Sequence, residues 1–226
     1  MTTIEQTDSP ETQVDDAPPT DHTPSHGSGG DHGGHGTSAA MLTNSKLAMW
    51  LFLASDCLFF GAFISAYLLY RGRPQTGPTP KELFDIPFTS ATSFILLMSS
   101  LGMVLALAAI QRGDHRRFRL WLMATAIFGA TFIAGQIYEF THFAREGLHL
   151  DTNLFGSTFF VLTGFHGAHV CLGILWLLSL WGMSMQGRLG TQKSESVEIA
   201  GLYWHFVDVV WIVIFTVIYL MPQPGK

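Results

Sequence analysis

Five long apolar segments limit what this chain can fold into more than any other feature. They lie near residues 46–70, 88–111, 118–141, 157–182 and 198–221. Each runs about 24 residues, and at about 1.5 Å rise per residue a helix of that length reaches roughly 36 Å. A bilayer's hydrocarbon core is about 30 Å thick, so each segment can cross it with some tilt. Lipid offers the backbone no hydrogen bonds, so a crossing segment must satisfy its own N–H and C=O groups, as an α-helix does. The expectation is an all-α membrane protein: a bundle of five transmembrane helices in one domain over residues 44–226, with a disordered tail over residues 1–43.

Charge supports this division. Only 13% of the 226 residues are charged, about half the roughly 25% of ordinary soluble proteins. Glu5, Asp8, Glu11, Asp15, Asp16, Asp21 and Asp31 lie in the first 40 residues, which hold no Lys or Arg. The net charge of −5 therefore belongs to the tail: 17 acids less these 7 leave 10, against 12 bases, in the rest. Nothing here has the basic footprint of a nucleic-acid binder. The tail has almost no large apolar groups with which to offset the entropy of ordering. Its His22, His26, His32 and His35 stand among glycines, a setting for weak metal binding or for a merely solvated tail. An acidic start without a basic leader region argues against a cleavable signal peptide. Cys57 and Cys171 sit singly in apolar segments, which predicts small core residues rather than a disulfide or zinc site.

Loops follow from the breaks. Pro74, Gly77, Pro78 and Pro80 mark the first, residues 111–119 form a short polar hairpin, and residues 147–153 and 186–195 supply the others. With five crossings the termini lie on opposite sides. Lys46, Arg112, Arg116, Arg117, Arg119, Arg188 and Lys193 share the amino-terminal side; Arg71, Arg73, Lys81, Arg145 and Lys226 lie on the other. The positive-inside rule then places the amino terminus in the cytoplasm and the carboxyl terminus outside.

Ionisable groups inside the crossings are the candidate functional residues. A charge at mid-membrane costs roughly 2.5–3.5 kcal/mol on insertion scales, so such groups face protein or water. Asp56, in the first segment, has two readings: a proton-carrying carboxyl, or a carboxyl hydrogen-bonded to a neighbouring helix. Gln136 and Glu139 are three apart and share a helix face. Glu139, near a segment end, is expected to be wet or paired with a basic group, beside Tyr138 and Phe140 of an interfacial aromatic belt. His166 and His169 are also three apart; a metal site needs more ligands than these two, to which His142 and His149 could contribute, and hydrogen bonds to a neighbouring helix are the favoured reading. Gly156, Gly164, Gly167 and Gly173 on that segment suit close helix approach. His205 and Asp208, flanked by Trp204 and Trp211, form either a proton relay or a static pair locking two helices. No phosphate loop, nucleophile elbow or haem-attachment motif occurs, so the residues supply no catalytic constellation.

Four blocks carry a family resemblance: Ser55-Asp56 with Leu58-Phe59-Phe60; Gln136 with Tyr138-Glu139; Gly156 through His169; and Tyr203 through Trp211. Across about residues 44–221 the chain resembles subunit III of the haem–copper oxygen reductases. The resemblance implies a helical bundle packed on catalytic subunit I, near subunit II, in a bacterial plasma membrane. It implies no haem, copper or catalytic residue in this chain, since those redox centres lie in partner subunits. It also implies held structural phospholipid, support of proton uptake, and protection against inactivation during turnover. Asp56 falls where the mitochondrial branch has a buried, carbodiimide-reactive glutamate, one methylene longer. Five crossings rather than seven match the shorter bacterial form. The blocks GSTFFVLTGFHG and GQIYEF are similar to cytochrome c oxidases; the histidine-rich tail and the loop from Gly77 to Phe88 are similar to bo3-type quinol oxidases. Cytochrome c is the expected donor and quinol the alternative, either acting on the complex elsewhere than on this chain. A proton channel or transporter acting alone is the distant alternative; it would more often show inverted repeats or broken helices.

Overall fold

In the computed structural model, residues 36–71, 85–147, 154–187 and 194–221 are described, and among them every regular element is a helix. These are α1 (Gly36–Tyr70), α2 (Ile86–Gln111), α3 (His115–Arg145), α4 (Leu154–Met185) and α5 (Ser194–Phe215), the last continuing into a π-helical turn, Thr216–Leu220. All five are long and apolar enough to cross a membrane. Each expected segment falls on one helix, and the helices start up to ten residues earlier. The largest difference is at α1, which begins at Gly36, inside the stretch expected as tail. Its added turns include Ala39, Ala40, Met41 and Leu42, good helix formers that let the segment propagate backwards. The tail histidines, His149 and the proline-marked loop lie outside the described residues.

Local chemistry sets the ends. Asp85 caps α2 by accepting from the Phe88 N–H at 3.2 Å, with Pro87 in the first turn, and Asp114 caps α3 by accepting from the Arg117 N–H at 3.1 Å. Carboxylates at these positions satisfy backbone donors that have no partner within the helix. The hairpin between α2 and α3 turns on Gly113, whose φ of +77° suits a residue without a side chain. At the far end of α5 the Met221 N–H donates to the Thr216 carbonyl at 3.0 Å. That wider turn leaves Val217, Ile218 and Tyr219 all buried.

Antiparallel α2 and α3 pair most extensively; α4 lies along α3, and α5 packs on α2 and α4, closing a four-helix ring. α1 stands outside the ring. Only 11% of its apolar stretch is buried, against 50% for α5. It touches the ring by side chains: Phe59 and Phe63 on Phe165, Phe52 on Tyr203, and Lys46 Nζ 3.0 Å from Glu198 Oε2.

Lipid tails are as apolar as a protein core, so tight packing and interhelical polar bonds must hold such helices together. Glycines make the room. A Cβ placed on Gly102 would stand 2.6 Å from Thr125 Oγ1, and one on Gly135 2.8 Å from Thr92 Cγ2. Of the α4 glycines, Gly167 meets Gln136 and Gly173 meets Trp204, as expected, but Gly164 has nothing within 4 Å. Gly164 therefore packs closely against no described residue of this chain. The expectation for the cysteines also fails: Cys57 and Cys171 are both exposed on the outside of the bundle. A small apolar side chain loses nothing by facing lipid, so hydrophobicity alone did not fix its side.

Candidate functional site

Most of the membrane-embedded polar residues fall into small groups that join two or three helices. The first joins α1 to α4. His169 Nδ1 lies 2.7 Å from the Phe165 carbonyl oxygen. A carbonyl only accepts, so Nδ1 carries hydrogen and Nε2 is left facing Asp56. Asp56 Oδ2 is 3.5 Å from Nε2, longer than an ordinary hydrogen bond. No hydrogen bond closes this gap; carboxyl and imidazole face each other across it. Tyr203 of α5 donates its hydroxyl to the His169 carbonyl at 2.9 Å. Phe60 closes the imidazole edge at 5.0 Å between ring centroids.

His166, one turn away, behaves differently. It is fully buried, and neither ring nitrogen has a hydrogen-bond partner. Its ring stacks on Trp211 at 4.8 Å and 25°, and Phe132 meets it edge-on at 5.8 Å. The expected hydrogen bond to a neighbouring helix is absent because aromatic surfaces wall this position. His166 and His169 do different work despite their spacing.

Gln136 and Glu139 are both buried, but they serve different neighbours. Gln136 Nε2 donates to the Thr163 carbonyl of α4 at 2.6 Å. Glu139 accepts from the Thr89 hydroxyl of α2, and Tyr219 of the π-helical turn bonds to the same carboxyl. Glu139 makes no ion pair with a described basic side chain; hydroxyls of α2 and of the π-helical turn bond to it, and it lines a small cavity beside Asp85, Tyr138 and His142. Tyr138 is exposed as an interfacial residue would be, whereas Phe140 packs inward on Phe160 at 5.0 Å.

His205 and Asp208 are joined through a residue the sequence reading missed. Ser100 of α2 lies 2.8 Å from His205 Nδ1 and donates its hydroxyl to Asp208 Oδ2. With its one hydrogen on the carboxylate, Ser100 Oγ accepts from Nδ1–H of His205. The result is a directional chain, His205 to Ser100 to Asp208, that ties α5 to α2. The same α2 face supplies Ser93, which accepts from the Trp211 indole N–H at 2.8 Å, and Ser99, which accepts from that of Trp204 at 2.8 Å. Thr89, Thr92, Ser93, Ser99 and Ser100 recur at the three-and-four spacing of one helix face. That periodicity was the available signal, and it lay in hydroxyls rather than charges.

Among the described residues, no group of three His, Cys, Asp or Glu side chains is gathered closely enough to hold a metal ion. The arrangement can hold helices in register, and at Asp56–His169 it sets a carboxyl of α1 against an imidazole of α4.

Apolar crossings tied by buried polar bonds define a multi-pass membrane protein of the helix-bundle class. Within that class the chain belongs to the cytochrome c oxidase subunit III family, whose model matches residues 28–223. It is 38% identical to the cytochrome c oxidase subunit 3 of Bacillus sp. (strain PS3) over 182 residues, covering 80% of this chain and 88% of the other. It is 36% identical to the quinol oxidase subunit 3 of Bacillus subtilis (strain 168) over 202 residues, covering 86% and 99%. It is 35% identical to the cytochrome bo(3) ubiquinol oxidase subunit 3 of Pseudomonas aeruginosa over 201 residues, covering 89% and 90%. Family membership thus spans both kinds of oxidase.

Proposed function

We propose that this chain is an accessory subunit of a proton-pumping terminal oxidase in a bacterial plasma membrane, with its amino terminus in the cytoplasm. The complex reduces oxygen to water with electrons from cytochrome c. The chain carries no redox centre; haem and copper reside in partner subunits. It packs directly on catalytic subunit I, in a complex with subunit II, and steadies it. The match to the family along all five crossings is the observation that carries this reading.

Within it, Asp56 and His169 hold the proton that links the chain to proton uptake by subunit I. The other polar residues, Gln136, Glu139, His166, His205 and Asp208, are structural contacts within the bundle. An apolar groove of about 400 Å³ between α1, α4 and α5, lined by Met49, Phe52, Leu172, Trp176 and Tyr203, supports the reading that structural phospholipid is held by its acyl chain. The quinol-fed alternative rests on the relatives named as quinol oxidase subunits, which match the chain at 36% and 35% identity beside 38% for the cytochrome c oxidase relative.

The test is oxidase purified with wild-type chain, with Asp56→Ala, and from cells lacking the chain. The reading expects equal haem content in all three. Activity should decay during sustained turnover faster without the chain and faster with Asp56→Ala than with wild type. Equal decay in all three would remove the protective role, and equal decay for Asp56→Ala alone would remove Asp56 from it.

A further inference from the structure

The hairpin joining α2 to α3 borders a partly open cavity of about 490 Å³ lined by Leu105, Ala108, Ala109, Arg112, Asp114, Arg117 and Trp121. None of these residues belongs to the polar groups within the bundle. We propose that this cavity binds the phosphate of an anionic phospholipid, with the lipid's acyl chain lying along the apolar wall below.

The hairpin is built rather than loose. The Gly113 N–H donates to the Ile110 carbonyl and the Asp114 N–H to the Ala109 carbonyl, each at 3.0 Å, so the turn is fixed to the last turn of α2. Asp114 is committed twice, capping α3 and pairing with Arg117 Nε at 3.2 Å. Arg112 is exposed, and no ion pair joins it to a described carboxylate. Two arginines against one carboxylate leave one positive charge at the cavity, which matches the single negative charge of a phosphate diester. An arginine fork suits such a group because it presents parallel donors to two oxygens.

The wall selects a lipid over a free anion. Leu105, Ala108 and Ala109 lie in the last two turns of an apolar crossing, and Trp121 lies about one and a half turns into the next. A tryptophan at this depth is characteristic of the membrane interface, where ring and headgroup meet. A basic pocket between crossings at the membrane face is a setting in which anionic headgroups bind. The site requires only that α2 and α3 end at the membrane face, and it stands or falls independently of the oxidase reading.

The test uses the full chain, purified in mild detergent with the subunits that accompany it and stripped of loosely held lipid. Phosphatidylglycerol or phosphatidylcholine is added, and bound lipids are counted by native mass spectrometry. The expected result is one phosphatidylglycerol held at least tenfold more tightly than phosphatidylcholine, and not displaced by millimolar inorganic phosphate. Arg112→Gln should lose that one lipid, Arg112→Lys should keep part of the affinity, and Arg116→Gln, exposed on the same hairpin but outside the cavity, should keep all of it. Helical content by circular dichroism establishes that each variant is folded. Equal retention of both lipids, retention by Arg112→Gln, equal loss in Arg116→Gln, or displacement by inorganic phosphate would each overturn the proposal.

Discussion

The indole of Trp204 sits against Gly129 of α3, where a Cβ would stand 2.7 Å from its Cη2 atom. Its other side meets Gly173 of α4, where a Cβ would stand 2.8 Å from Cζ3. The ring is held in the slot by its own N–H, which donates to Ser99 at 2.8 Å. One side chain of α5 therefore gauges the spacing of three other helices.

Gly129→Ala and Gly173→Ala should each destabilise the bundle by about 1–3 kcal/mol, the usual cost of overpacking. Alanine's helix preference, worth about 1 kcal/mol over glycine, offsets part of this. Gly164→Ala, with open space around it, should be neutral or stabilising. Thermal denaturation in detergent compares the three. If Gly129→Ala melts with Gly164→Ala, the slot is not tight.

His166 is a plate in an aromatic stack, with no hydrogen bond to a described residue. His166→Phe keeps the stack but adds ring volume, so it should cost about 1–3 kcal/mol, the range of overpacking. Removing the plate's partner with Trp211→Ala should cost about 3–5 kcal/mol. Retention of the subunit through purification reads both. A His166→Phe chain lost as readily as Trp211→Ala would show that the imidazole nitrogens matter.

Ser100→Ala removes the hydroxyl that joins His205 and Asp208, leaving both buried or half-buried and unbonded at that point. A cost of about 1–3 kcal/mol follows from stranding such groups. Ser90→Ala, exposed on the same helix, is the control and should change little. A double-mutant cycle of Ser100→Ala with His205→Ala should show a coupling of about 0.5–3 kcal/mol. Strict additivity would mean that the chain is incidental.

Cys57 and Cys171 point away from the bundle, so Cys57→Leu and Cys171→Leu should each change the chain's own stability by no more than about 0.5 kcal/mol. Core positions would instead show the overpacking cost. Melting of the detergent-solubilised chain distinguishes the two.

How much of this was legible depends on what kind of signal each feature leaves. The five crossings were plain because apolar length is written residue by residue, and Asp56 and Asp208 stood out because charge in such a segment is conspicuous. Ser99 and Ser100 were overlooked because a serine reads as merely small, although their spacing with Thr92 and Ser93 marked one face. The histidines show a different limit: spacing put His166 and His169 on one turn, but only the neighbours' rings decide that one stacks while the other bonds. The cysteines misled because burial is not enforced where the surroundings are as apolar as the core. The π-helical turn that brings Tyr219 to Glu139 left no pattern in TVIYL.

The most direct measurement is affinity purification of the tagged chain from mild detergent, followed by a reduced-minus-oxidised haem difference spectrum. The account predicts an a-type haem signal, carried by partner subunits that co-purify in fixed ratio. A spectrum with only b- and o-type haem would keep the chain in an oxidase but contradict cytochrome c as donor. A folded chain that brings down no haem, with the partner subunits expressed in the same cells, would contradict the account itself.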